Sequence, residues 1–553
     1  MRITDTSDLW WKSAVIYCLD IETYLDANGD GCGDLAGLAQ RIDYLADLGI
    51  NTLWLMPFYP SPDRDDGYDV QDFYGVDPRL GNHGEFVEVV RTAHARGIRV
   101  IVDLLVNHTS DQHPWFKESR KSKDNPFRDY YVWRDTDPGD TSDEAVFPDA
   151  EDGIWTKDDR TGEWYLHHFY HHQPDLNMAN PKVMDEILRA VGFWLELGVD
   201  GFRVDAVPFL EQNKKNTPTK TMAVDPHEVM KKLRAFMSRR KGDAMMLGEV
   251  NVPHADQLKY FGGEVGNELH MMFDFIAMQA TYLSLAREDA RPLAKALLDR
   301  PAIHPTCQWA TFLRNHDELT LDKLTDKERQ EVFDAFGPEQ EMQVFDRGLK
   351  RRLPPMLGGD PRRIRMAYSL MFSLPGTPTL YYGEEIGMGE DLKAKGRMAV
   401  RTPMQWDSSK NGGFSTADAR KLIQRVAPDG YGPEHVNLAD QQHDPESLWS
   451  FIRELIGVRR TRQEFGWGDF EVLDQAEKQV LAHRISLPGS SVVALHNLGA
   501  NPVTTTLSDV LSDGDTLEDL LNGDAVLPHD GTLEVNLEGY GFRWFRVKES
   551  TPV

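Results

Sequence analysis

Cysteine is scarce in this chain, because its 553 residues include only Cys18, Cys32 and Cys307. An odd number of cysteines with no CxxC pair predicts neither a disulfide framework nor a cysteine-bound metal. Three reduced thiols fit a reducing compartment, and we expect the cytoplasm. The first residues lack the pattern of a signal peptide. No run of 18 apolar residues is present, so no membrane span is predicted.

Positive charge is also in short supply. The chain has 61 Lys and Arg residues against 89 Asp and Glu residues, a formal net charge of −28. Such an acidic surface repels phosphate backbones and anionic membranes, so we expect neither nucleic acid nor a membrane as partner. The charge does not hinder neutral substrates such as sugars. No residue pattern decides whether the chain forms a homo-oligomer.

The first two-thirds of the chain alternates short β-branched apolar runs with amphipathic helical stretches. This alternation is typical of parallel βα units, and eight such units in succession predict a closed (β/α)₈ TIM barrel. Helical patterns lie between the strands, for example at 35–48, 84–96, 183–197 and 228–240. The eight predicted strands are 14–18, 52–56, 99–105, 201–204, 245–248, 271–275, 310–313 and 379–382.

Two long segments interrupt the barrel pattern. Residues 108–175, rich in Trp, His, Asp and Tyr, predict a small domain inserted after the third strand. Residues of about 387–445 form a second insertion after the eighth strand. We therefore predict barrel segments at 1–107 and 176–465, and a C-terminal antiparallel β-domain at 466–553. In the last of these, strands are predicted at 480–485, 491–495, 532–536 and 542–547.

Polar side chains collect where four of the predicted strands end. The sequences are DLLVNH at 103–108, GFRVD at 201–205, LGE at 247–249 and FLRNHDE at 312–318. Barrel enzymes keep their catalytic residues at the carboxyl ends of the strands. We therefore expect these side chains to form one site.

Hydrolysis of a glycosidic bond requires two carboxyl groups that flank the bond. Asp205 suits the nucleophile, because Arg203 lies two residues earlier on the same strand face and would keep it ionised. Glu249 follows an apolar run, and burial would raise its pKa toward that of a proton donor. Asp317 would be a third carboxylate that grips sugar hydroxyls.

Each of these residues alone has an ordinary explanation, such as an aspartate that caps the next helix. Their joint occurrence favours a site. The four segments resemble the signature regions of glycoside hydrolase family 13, the α-amylase family. That resemblance implies that Asp205 is the nucleophile of a retaining mechanism, Glu249 the acid/base and Asp317 the transition-state stabiliser. It also implies substrate-binding roles for Tyr68, His108, Arg203 and His316.

A metal site is predicted after the first strand. The segment DANGDGCGD at 26–34 places oxygen-bearing side chains at alternating positions, as at the start of a calcium loop. The alternative is an acidic, glycine-rich turn. The segment resembles the structural calcium site of many family members, which implies ligation by the side chains of Asp26, Asn28, Asp30 and Asp34 and by the Cys32 carbonyl. Asn107 is a candidate ligand for a second calcium. No pattern for an organic cofactor is present.

Asp65 and Arg401 resemble the Asp/Arg pair with which α-glucosidases of this family hold a terminal glucose, although a surface salt bridge is the alternative. Such a pair closes the pocket and favours small glucosides. The stretches 312–324, 376–388 and 401–406 further resemble the trehalose synthase group, which implies isomerisation of maltose to trehalose with hydrolysis as a side reaction. That isomerisation needs water to be excluded.

Two segments depart from the trehalose synthase pattern: LDIE at 19–22 and the loop at 209–225. Both are expected on the acceptor side, so the acceptor stays open. One alternative is an α-glucosidase or transglucosidase that hydrolyses maltose, sucrose or short α-1,6-glucosides. A more distant alternative is a non-catalytic amylase-like protein. It is disfavoured because such proteins usually lose the catalytic carboxylates.

Overall fold

The computed structural model describes residues 9–210, 225–508, 515–526, 528 and 531–548. Eight parallel strands close a barrel at its centre, which confirms the predicted fold class. Every observed strand begins and ends within two residues of its predicted position. The strands are β1 Ile16–Leu19, β2 Thr52–Leu55, β3 Arg99–Leu104, β4 Gly201–Val204, β5 Met245–Gly248, β6 Met271–Phe273, β7 Gln308–Thr311 and β8 Thr377–Tyr381.

Helices surround the barrel, and most of them begin at a side-chain cap. Asp34 caps the first helix by accepting a hydrogen bond from the Gly37 amide, and Gly49 ends it in the left-handed conformation. In chain order the described α-helices are Leu35–Leu48, His83–Ala95, Pro114–Ser119, Pro181–Glu196, Pro226–Arg240, His254–Tyr260, Phe275–Arg287, Arg291–Leu298, Asp326–Phe336, Leu353–Met356, Pro361–Ser373, Leu438–Gln442, Leu448–Arg460 and Glu464–Trp467.

The segment inserted after β3 lies on the rim formed by the carboxyl ends of the strands. Its own sheet has three short strands, Trp133–Arg134, Trp155–Lys157 and Trp164–Leu166. A bridge between His108 and Asp175 joins its two ends beside the barrel. The second insertion, after β8, is built mainly of 3-10 turns, among them Gly396–Val400.

The C-terminal part forms antiparallel sheets, as its alternating sequence predicts. Its strands are β9 Asp469–Leu473, β10 Val480–Leu487, β11 Ser490–Asn497, β12 Val503–Leu507, β13 Thr516–Asp519, β14 Ala525–Val526, β15 Leu533–Leu537 and β16 Phe542–Lys548. Six of them form a sheet in the order β9-β10-β11-β16-β13-β14, and β12 pairs with β15. No helix within the described ranges has both the length and the apolar character needed to cross a membrane.

Candidate active site

Strand register brings the predicted carboxylates together. Asp103 of β3 lies beside Arg203 of β4, and Val204 of β4 lies beside Gly248 of β5. Asp205 and Glu249 are the next residues along these two strands, so both leave the barrel at the same level. The Glu249 amide still donates to the Val204 carbonyl at 3.0 Å, which extends the strand pairing to the site.

Arg203 joins three carboxylates at the floor of the site. Its Nη1 donates to Asp103 Oδ1 at 2.6 Å and to Asp205 Oδ1 at 2.5 Å, and its Nη2 donates to Glu249 Oε2 at 2.8 Å. The guanidinium is 2% exposed, so these bonds are shielded from water. One rigid, planar group thus places Asp205 and Glu249 side by side.

The two carboxylates differ in their titration. Burial raises the pKa of Asp205 to about 6, although the Arg203 cation acts to lower it. Burial raises the pKa of Glu249 to about 7, again against the effect of Arg203. Near pH 6.5 Asp205 is therefore the better ionised of the two, and Glu249 still holds a proton. This is the division of charge that a nucleophile and a proton donor require.

Asp317 stands opposite this pair and is held by cations. Burial opposes its ionisation, but its contacts with His316, Arg397 and Arg401 hold its pKa well below the usual value. Arg397 Nη1 donates to Asp317 Oδ1 at 2.6 Å, and Arg401 Nη2 donates to the same oxygen at 3.1 Å. Burial lowers the pKa of His316 to about 4, so the two arginines supply the positive charge at neutral pH.

Tyr68 and His316 pack against each other beside the carboxylates. Their rings are stacked with centroids 5.5 Å apart, and the Tyr68 hydroxyl lies 2.7 Å from His316 Nε2. His108 is buried and lies 3.2 Å from the Tyr68 carbonyl oxygen. Burial lowers its pKa, which favours the neutral ring. The structure thus brings Tyr68, His108 and His316 to the same pocket as Asp205.

Asp65 and Arg401 line a neighbouring cavity and do not bond each other, so the structure excludes the alternative of a salt bridge between them. Asp65 accepts from Arg397 Nη2 at 2.6 Å and from Gln173 Nε2 at 2.9 Å. Arg401 instead donates to Asp66, the neighbouring residue, and through Nε to the His316 carbonyl at 2.8 Å. The left-handed backbone at Asp66, with φ of 52°, points successive aspartates in different directions, and each meets a different arginine.

Two cavities meet at Arg397. One, of about 430 Å³, is lined by Glu249, Asp317 and Phe209. The other, of about 680 Å³, is lined by Asp65, Asp66 and Arg401 among others. Arg397 borders both cavities and bridges Asp65 to Asp317. The divergent loop at 209–225 adjoins the first cavity at Phe209, while its residues 211–224 lie outside the described part of the chain.

The predicted calcium residues lie on the loop between β1 and the first helix. Asp26 accepts from the Gly29 and Gly31 amides at 2.6 and 2.8 Å, and Asp34 accepts from the Ala27 amide at 3.0 Å. Asn28 and Asp30 each accept from a backbone amide two residues on, at 2.9 Å. The Cys32 thiol contacts the Gly33 carbonyl and does not enter the oxygen set. The donors are all oxygens, as calcium prefers, but Asp26, Asp30 and Asp34 do not bring three carboxylate oxygens within 4.8 Å of one another. Backbone amides bond these oxygens instead.

Asn107 is buried at the end of β3. Its Nδ2 donates to Asp175 Oδ1 at 3.2 Å, and its Oδ1 is buried without a hydrogen-bond partner. An amide oxygen in that state is what a calcium ligand needs, so the side chain fits the second site that the sequence indicated.

Four residues of the site were missed from the sequence: Trp54, Asp66, Asp103 and Arg397. Trp54 Nε1 donates to Asp103 Oδ2 at 2.7 Å, which fixes the carboxylate that holds Arg203. Asp103 had a usable signal, since it belongs to the same strand-end segment as His108. Arg397 lies four residues before Arg401 in an insertion without regular periodicity, where the sequence holds no comparable signal.

Comparison with known proteins identifies the family. The family profile for the α-amylase catalytic domain matches residues 21–336 and 341–468, and one for the C-terminal domain of sucrose hydrolase-like proteins matches 489–546. The chain belongs to the α-amylase family. This membership confirms the resemblance stated for the four strand-end segments.

Among relatives within this α-amylase family, the chain is 40% identical over 558 residues to a trehalose synthase of Pimelobacter sp. (strain R48), covering 98% of this chain and 96% of that protein. It is 32% identical over 546 residues to an oligo-1,6-glucosidase of Heyndrickxia coagulans, with 90% and 93% covered.

Solved structures agree with this membership. Trehalose-6-phosphate hydrolase of Bacillus licheniformis superimposes with a TM-score of 0.77 at 25% identity, covering 98% of this chain and all of that chain (100%). A mutant of the trehalulose synthase MutB in complex with its substrate sucrose has a TM-score of 0.76 at 27% identity, with 98% and 99% covered.

Proposed function

We propose that this α-amylase-family chain is a retaining enzyme that converts maltose to trehalose by transferring a glucosyl group within one closed pocket, with hydrolysis as a side reaction. The observation that carries the proposal is the wall built by Arg397 and Arg401. These arginines tie Asp65, Asp66 and Asp317 together on one side of the Asp205–Glu249 pair. We expect such a wall to favour a small glucoside over a long chain.

In the first step Asp205 attacks the anomeric carbon of the non-reducing glucose of maltose. The bond to the second glucose breaks, and Glu249 gives its proton to the leaving oxygen. Asp205 then holds the glucosyl group as an ester. Arg203, bonded to both carboxylates, stabilises the negative charge on Asp205 before attack and on Glu249 after it has lost its proton.

In the second step the freed glucose turns within the pocket and presents its own anomeric hydroxyl. Glu249 removes the proton of that hydroxyl, whose oxygen attacks the glucosyl carbon and displaces Asp205. Two inversions retain the α configuration at the transferred glucosyl carbon, and attack by the α-anomer of the freed glucose gives the α,α-1,1 linkage. Water in place of glucose gives hydrolysis, so the product ratio depends on how well the pocket excludes water.

Proton NMR of the purified protein with maltose tests the proposal. Anomeric signals are followed over hours, with sucrose and isomaltose in parallel and an Asp205→Ala variant as control. Trehalose should accumulate ahead of free glucose, and the variant should be slower by at least about 1,000-fold.

Glucose as the main product would instead favour the α-glucosidase alternative, which the likeness to an oligo-1,6-glucosidase supports. The glucose that water releases from the Asp205 ester should first be the α-anomer, and sucrose shows this glucose alone because its leaving group is fructose. First release of the β-anomer from sucrose would contradict the retaining arrangement of Asp205 and Glu249.

A structural calcium ion in the loop at 26–34 is part of the proposal. It is supported by the oxygen-only donor set of Asp26, Asn28, Asp30 and Asp34 and the Cys32 carbonyl. The ion would hold this loop against the second insertion, where Ser415 donates to Asp26 Oδ2 at 2.5 Å. A cytoplasmic location is proposed on the free state of Cys18, Cys32 and Cys307.

A further inference from the structure

A second group of carboxylates lies apart from the loop at 26–34. Glu22, Asp63 and Asp66 each offer one carboxylate oxygen, and these oxygens lie within 4.8 Å of one another. No other set of three or more His, Cys, Asp or Glu side chains among the described residues brings its ligand atoms this close together. All three residues line the cavity of about 680 Å³ behind Arg401.

Glu22 holds a buried oxygen that nothing satisfies. Its side chain lies in the 3-10 turn Ile21–Thr23 after β1, and the residue is 5% exposed. One oxygen, Oε1, accepts from Arg79 Nη2 at 2.8 Å, whereas Oε2 is buried and has no hydrogen-bond partner. A buried carboxylate oxygen without a donor is costly, unless a cation or a proton meets it.

The two arginines that bond Glu22, Asp63 and Asp66 carry fewer positive charges than the three carboxylates carry negative charges. Arg79 bonds Glu22, Asp63 at 2.7 Å and also Asp77 at 3.0 Å. Arg401 bonds Asp66 and also Asp317 at 3.1 Å. Each of these two guanidinium groups is therefore shared with a carboxylate outside the group, Asp77 for Arg79 and Asp317 for Arg401. Asp317 is also bonded by Arg397.

We propose that Glu22, Asp63 and Asp66 bind a hard divalent cation of the calcium type. Carboxylate oxygens are the ligands such ions prefer, and three that lie within 4.8 Å of one another are close enough to share one ion after small side-chain shifts. The adjoining cavity has room for the waters that complete the coordination.

The cation would act on the pocket through Asp66. An ion that shares Asp66 weakens its hold on Arg401, whose other nitrogen donates to Asp317. The site would thereby couple a metal to the wall of the glucose pocket. Its existence does not depend on the sugar that the enzyme uses, and its test contains no sugar.

Calorimetric titration of the full-length protein with CaCl2, after removal of metal with EGTA, tests the proposal. The parent protein should bind about one equivalent more than Glu22→Gln or Asp63→Asn. Asp30→Asn in the loop at 26–34 should lose a different equivalent, so the double variant Glu22→Gln/Asp30→Asn loses both. Glu151→Gln, a residue of the same cavity outside the group, is the matched control and should bind as the parent does.

A melting-temperature measurement separates a metal site from carboxylates that only share protons. In EGTA, Glu22→Gln should melt at or above the parent temperature, since it removes an unsatisfied charge. Calcium should raise the melting temperature of Asp30→Asn by more than that of Glu22→Gln/Asp30→Asn. Equal calcium binding by the parent, by Glu22→Gln and by Asp63→Asn would overturn the proposal. Binding of calcium and magnesium ions confined to the loop at 26–34 would overturn it as well.

Discussion

Arg397 bridges Asp65 and Asp317, which the proposed mechanism places at the closed end of the pocket and beside the reacting carbon. We expect Arg397→Lys to lower kcat/KM for maltose by about 10- to 100-fold, because one ammonium cannot replace two guanidinium bonds to carboxylates. Steady-state kinetics measures the effect. Lys395→Ala, in the same cavity, is the control and should change kcat/KM by less than about threefold. Equal kinetics for Arg397→Lys and the parent would remove Arg397 from the pocket wall.

The titration of Asp205 and Glu249 predicts a bell-shaped pH profile. Asp205 must be ionised to attack, so kcat/KM should fall as the pH drops through its pKa of about 6. Glu249 must be protonated to donate, so kcat/KM should also fall as the pH rises through its pKa of about 7. The two apparent pKa values of the profile describe Asp205 and Glu249 together, because the two groups interact. The range from about pH 5 to about pH 9 extends at least about one unit beyond both pKa values. A kcat/KM profile that is flat over this range would contradict these roles.

At the scale of elements, the loop after β1 and the insertion after β8 depend on each other. Gly31 has a φ of 107°, and a Cβ placed there would lie 2.2 Å from the Lys421 carbonyl oxygen. Only glycine allows this approach. The contact holds the insertion that carries Arg397 and Arg401 against the barrel.

Gly31→Ala should therefore lower the free energy of unfolding by about 1–3 kcal/mol more than Gly162→Ala. Gly162 is the control, since its φ of 71° is also positive while a Cβ there meets no atom within 4 Å. Urea unfolding of both variants measures the difference. Equal losses would mean that backbone strain alone acts at Gly31 and that the two segments do not press on each other.

At the scale of the molecule, barrel and C-terminal sheet share one apolar core. Trp544 of β16 is fully buried, and its Nε1 donates at 3.0 Å to Ser369 Oγ of the helix Pro361–Ser373. Ser369 Oγ also lies 2.9 Å from His496 Nε2 of β11. The core cluster contains side chains from both parts, so the two should unfold together.

Trp544→Ala should cost about 3–5 kcal/mol of unfolding free energy, because it leaves a large cavity in this shared core. Ser369→Ala removes only the hydrogen bonds and should cost about 1 kcal/mol. Chemical unfolding followed by circular dichroism and by tryptophan fluorescence measures both. Two separate transitions in the parent protein would contradict a shared core.

The sequence by itself predicted the barrel and placed the candidate catalytic carboxylates at the ends of its strands. Strand and helix periods are local properties of the chain, and a residue that follows a parallel strand must lie at the carboxyl end of the barrel. Asp205, Glu249 and Asp317 were therefore predictable once the strands were placed. The helix Leu35–Leu48 was likewise predictable from its period and from its caps at Asp34 and Gly49.

Only the tertiary structure decided which charges meet. Asp65, Arg397 and Arg401 come from loops without a regular period, and their pairing depends on backbone conformations such as the positive φ at Asp66. The same holds for Glu22, which lies in a different loop from Asp63 and Asp66 and yet brings a carboxylate oxygen within 4.8 Å of theirs. Long-range contacts between loops follow from the packing of the whole molecule, and no pattern within one segment encodes them.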